Sequence, residues 1–324
     1  MIGVGALGFH HARLYAAMPD VRLAGIFDTR AARAAEVAAQ LGTTAFPTLE
    51  ALLATTDAVS VVVPTPAHHA VGLAALAHGR HVLMEKPLAA TIVEAEALVR
   101  EARRAGVVLQ TGHVERFNRA LRAAAPFLGE PLFVESDRVA PFAVRGSDVA
   151  VILDLMIHDI DLVLGLVHQP VSEVRASGIG VVTPSVDIAT ARLEFASGAV
   201  ANLTASRLAR ERVRKLRIFQ RSGYLSLDLA AGTGDFLRLR PGALQVLLEA
   251  GSAGAVAAPP DLSAVVESVP LTAPEAEPLA LELANFVAAA RGLGAPAASG
   301  SDGLEALRVA YRVLEAMGPK ARAM

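Results

Sequence analysis

Short apolar runs alternate with alanine-rich helical stretches through the first 112 residues, and this rhythm narrows the possible fold more than any other feature. VRLAGIF (21–27) ends at Asp28, and the helical stretch 30–41 that follows is closed by Gly42. AVSVVV (58–63) ends at Pro64, with a helix from about 67 to 78 before Gly79. HVLME (81–85) ends at Lys86-Pro87, a helix over 91–105 stops at Gly106, and VVLQTG (107–112) follows. Runs that are apolar throughout belong to strands covered on both faces, and the helices between them make the crossovers of a parallel sheet. Ligands of such sheets bind beyond the carboxyl ends of the strands. Asp28, Thr65, Lys86 and His113 fall on that rim.

The rhythm changes after about residue 115. A helix near 115–128 leads into FVESDRV (133–139) and a long helix at about 148–167. Five β-like segments follow: VSEVRASGIG, DIATARLEF, AVANLTASR, KLRIFQ and YLSLDL. Tight turns such as Ser197-Gly198 and Ser222-Gly223 make their neighbours antiparallel. The stretch 250–278 reads as a loop around one short strand, and helices at about 276–291 and 302–317 close the chain. The expected division is a dinucleotide-binding domain over 1–114 and a substrate-binding and oligomerisation domain over 115–324, the last helix packing back on the first domain. The class is α/β.

Composition excludes several functions. A formal net charge of −2 over 324 residues gives no reason to expect nucleic acid or an anionic membrane as partner. There is no cysteine, which removes disulfides and thiolate metal sites and suits a reducing cytoplasm. No leader pattern or membrane-length apolar run is legible. No metal is expected.

Gly3-Val-Gly5-Ala6-Leu7-Gly8 ahead of a helix fits G-x-G-x-x-G. Its glycines permit a tight turn, close approach of a pyrophosphate and tight helix–strand packing, and the helix start offers free N–H groups. Asp28, at the end of the next strand, suits the adenosine ribose diol and favours NAD over NADP, with Arg30 and Arg33 nearby moderating that preference. The motif begins two residues after Met1, so the strand that normally precedes it is expected to be truncated by a misassigned start, at the expense of two ladders.

Only three of the 30 basic residues are lysine, and one of them, Lys86, interrupts an apolar run between Glu85 and Pro87. Lysine, unlike arginine, can exchange its proton, so a lysine at this rim can serve a substrate oxygen. An ion pair with Glu85 is an equal account. In ILDLMIHDIDLVLGLV (152–167), Asp154, His158 and Asp161 are spaced to share one face of an otherwise apolar helix. Such a polar stripe is costly unless paired or lining a cavity, and imidazole suits acid–base work near neutral pH. A satisfied core histidine is the alternative. Pro64-Thr65-Pro66-Ala67-His68-His69 sits at a strand end, where its threonine and histidines could contact a nicotinamide ribose or the substrate, although Thr65 equally suits a helix cap. Six arginines and Lys215 crowd Arg207–Arg221, either as a solvated strand face or against a diphosphate.

With G-x-G-x-x-G, Glu85-Lys86-Pro87 and Asp154-x-x-x-His158 in order, the chain resembles the Gfo/Idh/MocA oxidoreductases over essentially its whole length. The resemblance implies an N-terminal Rossmann domain, a C-terminal α/β domain with an open, largely antiparallel sheet, and NAD as cofactor. It makes Lys86, Asp154 and His158 catalytic. It places Gly3, Gly5, Ala6, Leu7, Gly8, Asp28, Thr65, Pro66, His68, Glu85 and Lys86 at the cofactor. GHVERFN (112–118) and the stretch 138–162 are similar to the nucleotide-sugar branch. That implies oxidation of UDP-N-acetylglucosamine at C3, with His113, Arg116, Asn118, Arg145 and Asp161 toward the sugar. The product would feed a 3-amino sugar of the lipid A type through a pathway aminotransferase, and a homo-oligomer, dimer or tetramer, is implied. A free sugar or cyclitol as substrate, or a non-catalytic NAD-binding sensor, are the rival readings.

Overall fold

The computed structural model of the chain describes residues 1–143, 149–243, 245 and 265–318. The chain divides into two compact units, one of Met1–Phe117 with Ala276–Tyr311 and one of Asn118–Glu275 with the residues from Arg312 onward.

The first unit carries α1 (Ala6–Ala17), α2 (Ala31–Leu41), α3 (Leu49–Leu53), β1 (Ala58–Val61), α4 (His68–Ala77), β2 (His81–Glu85), α5 (Ile92–Ala105) and β3 (Leu109–Gly112). Strands β1, β2 and β3 lie side by side, parallel throughout. Gly42 and Gly106 end α2 and α5 in the left-handed region, φ 64° and 67°, where a side chain would be strained. Thr91 starts α5 with a full capping box to Glu94. The short helix α3 was not evident in the sequence.

The amino-terminal residues reach both neighbouring segments. Ile2 bridges in parallel to both Phe27 and Val61. Its N–H donates to Ser60 O at 2.9 Å and its carbonyl accepts from Val62 N at 2.9 Å, while Gly3 N donates to Phe27 O at 2.8 Å. Single-residue bridges thus stand ahead of the glycine turn, where a first strand would carry two ladders. The run 21–27, by contrast, is bridged only through Ile26 and Phe27. A cavity of ≈400 Å³, lined among others by Gly25, Ala58, Ser60 and Phe286, lies at the amino ends of these strands, the opposite rim from the motif.

The second unit is built on β4 (Pro131–Val139), β5 (Val171–Ile179), β6 (Ile188–Phe195), β7 (Val200–Ser206), β8 (Val213–Gln220), β9 (Gly223–Asp228), β10 (Thr233–Leu239) and β11 (Val266–Leu271). They form one open sheet in the order β11-β10-β9-β8-β4-β7-β6-β5, antiparallel except for the central β4–β7 pair. The expected fold class is borne out. Strand β10 was missed, because its glycine-flanked TGDFLRL alternates weakly, and of the stretch 250–278 the part 250–264 lies outside the described residues.

Two helices differ from expectation. The helix at 115–128 is broken into 3-10 turns at Val114–Phe117 and Ala125–Phe127 around α6 (Arg119–Ala124). Asn118 causes the break: it stands extended at ψ 137° and its side chain caps α6 by accepting from Ala120 N at 3.0 Å. The long helix at 148–167 begins instead with a π-helical turn, Ile152–Met156, and continues as α7 (Ile157–Val167). Two helices complete the chain, α8 (Pro278–Ala290) and α9 (Gly300–Ala316).

Candidate active site

The glycine turn is shaped by two clashes and one vacancy. Gly3 stands at φ +80°, and a Cβ on it would lie 2.4 Å from Val62 O. A Cβ on Gly8 would lie 2.0 Å from Gly3 O, so α1 rests directly on the backbone of the preceding residues. A Cβ on Gly5 would meet nothing within 4 Å. Gly5 is also the residue before α1, and no side chain caps that helix. Its first N–H groups, at Ala6 and Leu7, therefore face open space at the positive end of the helix dipole. This is the arrangement a pyrophosphate needs.

Asp28 holds the turn in place. One carboxylate oxygen accepts from Val4 N at 2.8 Å and the other from Arg30 N at 2.9 Å. Each oxygen keeps a further lone pair for a ribose hydroxyl. Arg33 donates to Val4 O at 3.0 Å and lies over the Phe9 ring, so it braces the turn rather than waiting for a 2′-phosphate. Together these residues fit a dinucleotide, with Gly3, Gly5 and Gly8 admitting its diphosphate and Asp28 its ribose.

At the end of β2, Glu85 is gripped from below. Nε2 of the fully buried His11, on α1, lies 3.1 Å from Glu85 Oε1. The Lys86 amide N–H donates to Oε2 at 3.3 Å. Burial alone would raise the Glu85 carboxyl, but His11 and then Lys86 outweigh it and hold the group below the usual carboxylate range. Lys86 follows at the strand end, half-buried, joined to Pro87 by a cis peptide bond. His11 was missed in the sequence, although its place one helical turn after Leu7 put it on the inner face of α1.

His68 is a correction. Its Nδ1 lies 2.9 Å from Pro87 O and its Nε2 2.9 Å from Val63 O, with the residue buried. The ring clamps the loops that leave β1 and β2, so it has no nitrogen left for a cofactor. Burial pushes its pKa down, partly offset by those two carbonyls. Thr65 and Pro66 remain on the rim, and since no side chain caps α4, capping does not account for Thr65.

Two expected substrate residues are tied to backbone carbonyls. Arg116 donates to Ala297 O and lies 3.8 Å from Asp302, tying its turn to the start of α9. Asn118 caps α6, as above, and donates to Leu229 O at 2.8 Å. His113 is 1% exposed. Arg145 lies outside the described residues.

In the second unit, Asp154 sits in the π turn and His158 in the first turn of α7, both half-buried on the less covered side. Asp161, one turn on in α7, is 1% exposed. The neighbouring Asp159 was overlooked. It takes a bidentate grip from Arg138, with Nε at 2.8 Å and Nη2 at 2.9 Å, and both side chains are buried. The signal was present, because Arg138 falls in phase with the buried Val134 and Ser136 along β4. The arginine-rich run separates likewise. Arg207 is buried and donates to Val149 O, while Arg217 pairs on the sheet surface with Glu135 at 3.2 Å and Asp137 at 3.5 Å.

Comparison with known proteins agrees with this chemistry. Residues 1–113 match the model of an oxidoreductase family with an NAD-binding Rossmann fold, and residues 125–226 match the GFO/IDH/MocA C-terminal domain. The chain is 48% identical over 236 residues to UDP-N-acetylglucosamine 3-dehydrogenase of Acidithiobacillus ferrooxidans, covering 72% of this chain and 74% of that one. A solved structure of that enzyme aligns with a TM-score of 0.88 at 39% identity, over 99% of this chain and 97% of the other. The scyllo-inositol 2-dehydrogenase (NAD(+)) of Bacillus subtilis is 30% identical over 64% of this chain and 66% of its own. On these grounds the chain belongs to the Gfo/Idh/MocA family of NAD-binding oxidoreductases.

Proposed function

We propose that this chain oxidises the C3 hydroxyl of UDP-N-acetylglucosamine to a ketone. The observation that carries this reading is the alignment with the Acidithiobacillus ferrooxidans enzyme, which extends through the second unit as well as the dinucleotide fold. The dinucleotide fold by itself says nothing about the sugar.

Bound NAD+ supplies the acceptor for the C3 hydride and its electron pair. His158 takes the hydroxyl proton as the C–O bond becomes a carbonyl, and Asp154 keeps the imidazole oriented. Lys86 donates to the same oxygen while negative charge develops on it. General-base help of this kind contributes roughly 10²–10⁴-fold, and a fixed donor about 10²–10³-fold. The balance is one secondary alcohol and NAD+ to one ketone, NADH and a proton.

A 3-keto sugar is what an aminotransferase needs to install a 3-amino group, which supports a place ahead of such an enzyme in a lipid A type pathway in the cytoplasm. Among the described residues no helix is long and apolar enough to cross a membrane. Self-association belongs to the same reading, supported by Phe219, partly exposed on the sheet and stacked on Tyr224 at 4.6 Å between ring centroids.

The test is NADH absorbance with UDP-N-acetylglucosamine, UDP-glucose, free N-acetylglucosamine and inositols, with an aminotransferase added to draw off product. Turnover confined to UDP-N-acetylglucosamine supports the proposal. Turnover of inositol alone favours the cyclitol reading that the Bacillus subtilis relative represents, and NAD binding with no turnover favours a sensor.

A further inference from the structure

We infer that Arg138 and Asp159 form a positioning device for His158, and that Arg207 completes it by holding the other end of the same helix segment. The inference rests on the reading of His158 as the base.

Asp159 directly follows His158 in the first turn of α7. Arg138 is the penultimate residue of β4, a central strand flanked by β8 and β7. The two side chains are 3% and 2% exposed and meet through two parallel hydrogen bonds. A buried ion pair contributes little net stability compared with apolar residues of the same volume. What a planar guanidinium on a carboxylate does fix is orientation. Here it fixes how α7 is rotated against the sheet, and hence which way the adjacent His158 projects.

The segment just upstream needs such a fixture. Ile157 N donates to Ile152 O, an i→i−5 bond that marks the π turn. If the turn relaxed to the ordinary i→i−4 pattern, residues on one side would rotate by about 100° relative to the other. Relaxation would therefore swing the Val149–Val151 end of the segment about the helix axis relative to the end that carries His158. The upstream end is held by Val151 N on Val186 O at 2.9 Å and by the Arg207 donation to Val149 O. The downstream end is held by Arg138 on Asp159. The two buried arginines thus bracket the turn, and an extra-residue turn between two fixed ends cannot unwind.

Two variants test this. Arg138→Lys keeps the charge and loses the fork, while the double variant R138M/D159L removes the pair but keeps the volume. The expected result is a melting transition close to wild type and unchanged NADH affinity by fluorescence titration. With these, kcat should fall ~10–100-fold and KM for UDP-N-acetylglucosamine should move far less. The ring resonances of His158 in the NMR spectrum should shift in both, independently of turnover. Folded variants with kcat within twofold of wild type and unmoved His158 resonances overturn the inference. So does loss of the folded state in both, which would make the pair a stability element only. A separate His158→Ala control keeps the two ideas apart, since full activity there rejects His158 as base whatever Arg138 does.

Discussion

His11 Nε2 lies 3.1 Å from Glu85 Oε1, beneath the strand end that presents Lys86. The pair couples α1, whose start is the proposed diphosphate site, to β2, whose end carries the proposed alkoxide donor. Replacing His11 by Phe leaves the Glu85 carboxylate without its main partner, a loss of about 1–3 kcal/mol. Glu85 sits below its ordinary pKa in the folded state, so its contribution is present above the unfolded value, about 4.3. That contribution disappears as pH falls through the lower folded value. Urea unfolding at several pH values checks this: the wild type should weaken on acidification in that range, and His11→Phe should be weak already at neutral pH. A neutral-pH stability equal to wild type would show that the contact contributes nothing.

Two of the glycines separate folding from cofactor binding. Gly8→Ala drives a methyl to within 2.0 Å of Gly3 O and should cost about 1–3 kcal/mol as overpacking. Gly5→Ala meets no protein atom, so melting should be unchanged, while the methyl occupies the space a diphosphate needs. NAD affinity should drop about tenfold, or 1.4 kcal/mol. Calorimetric melting and a binding titration on the two variants decide it, and equal affinity for Gly5→Ala would place the diphosphate elsewhere.

Much of this was legible in the sequence because it follows from periodicity. Continuous apolar runs gave β1, β2 and β3, and glycines at 42 and 106 gave the helix ends. The motif glycines were legible because only they tolerate the contacts found at residues 3 and 8. What sequence could not supply was the direction in which a polar side chain is used. His68, Arg116 and Asn118 have the chemistry of ligand-binding groups, yet each answers an unpaired backbone group nearer at hand. A π turn is likewise invisible to a search at 3.6 residues, which is why the start of this helix reads as ordinary α-helix in the sequence. Buried ion pairs such as Arg138–Asp159 join residues far apart in sequence and show only as a charge in an apolar phase.

Asp187 anchors the loop that supports the π turn. Burial alone would raise its pKa, but the N–H groups of Thr183, Val182 and Val181 and the Thr183 hydroxyl overcome this and hold it at about 2. Its unfolded value is about 3.9. The stabilisation it provides is complete above roughly pH 4 and is lost as pH falls toward 2, with a full size of roughly 2–3 kcal/mol. Asp187→Asn turns an amide toward donors, so it should lower stability at pH 7 and flatten the acid limb between those values. Thermal melts across that range are the measurement, and an unaltered acid limb would contradict the assignment.

Lys86 offers the last separation, between binding and chemistry. A donor that acts only as charge develops on the substrate oxygen lowers the barrier without tightening the ground state. Lys86→Ala should therefore reduce kcat by about 10²–10³-fold. NAD affinity, assigned in this reading to the α1 terminus and Asp28, should change little. Lys86→Arg is the sharper variant. It keeps a positive charge, but the bulkier guanidinium cannot release its proton and presents a fork instead of a single compact donor. If Lys86 supplied charge alone, arginine would restore most of kcat. If a compact ammonium at one oxygen is what matters, arginine should recover little. Stopped-flow reduction of NAD+ in a single turnover, compared across the three proteins, separates these cases. Wild-type rates in Lys86→Ala would remove the residue from the chemistry.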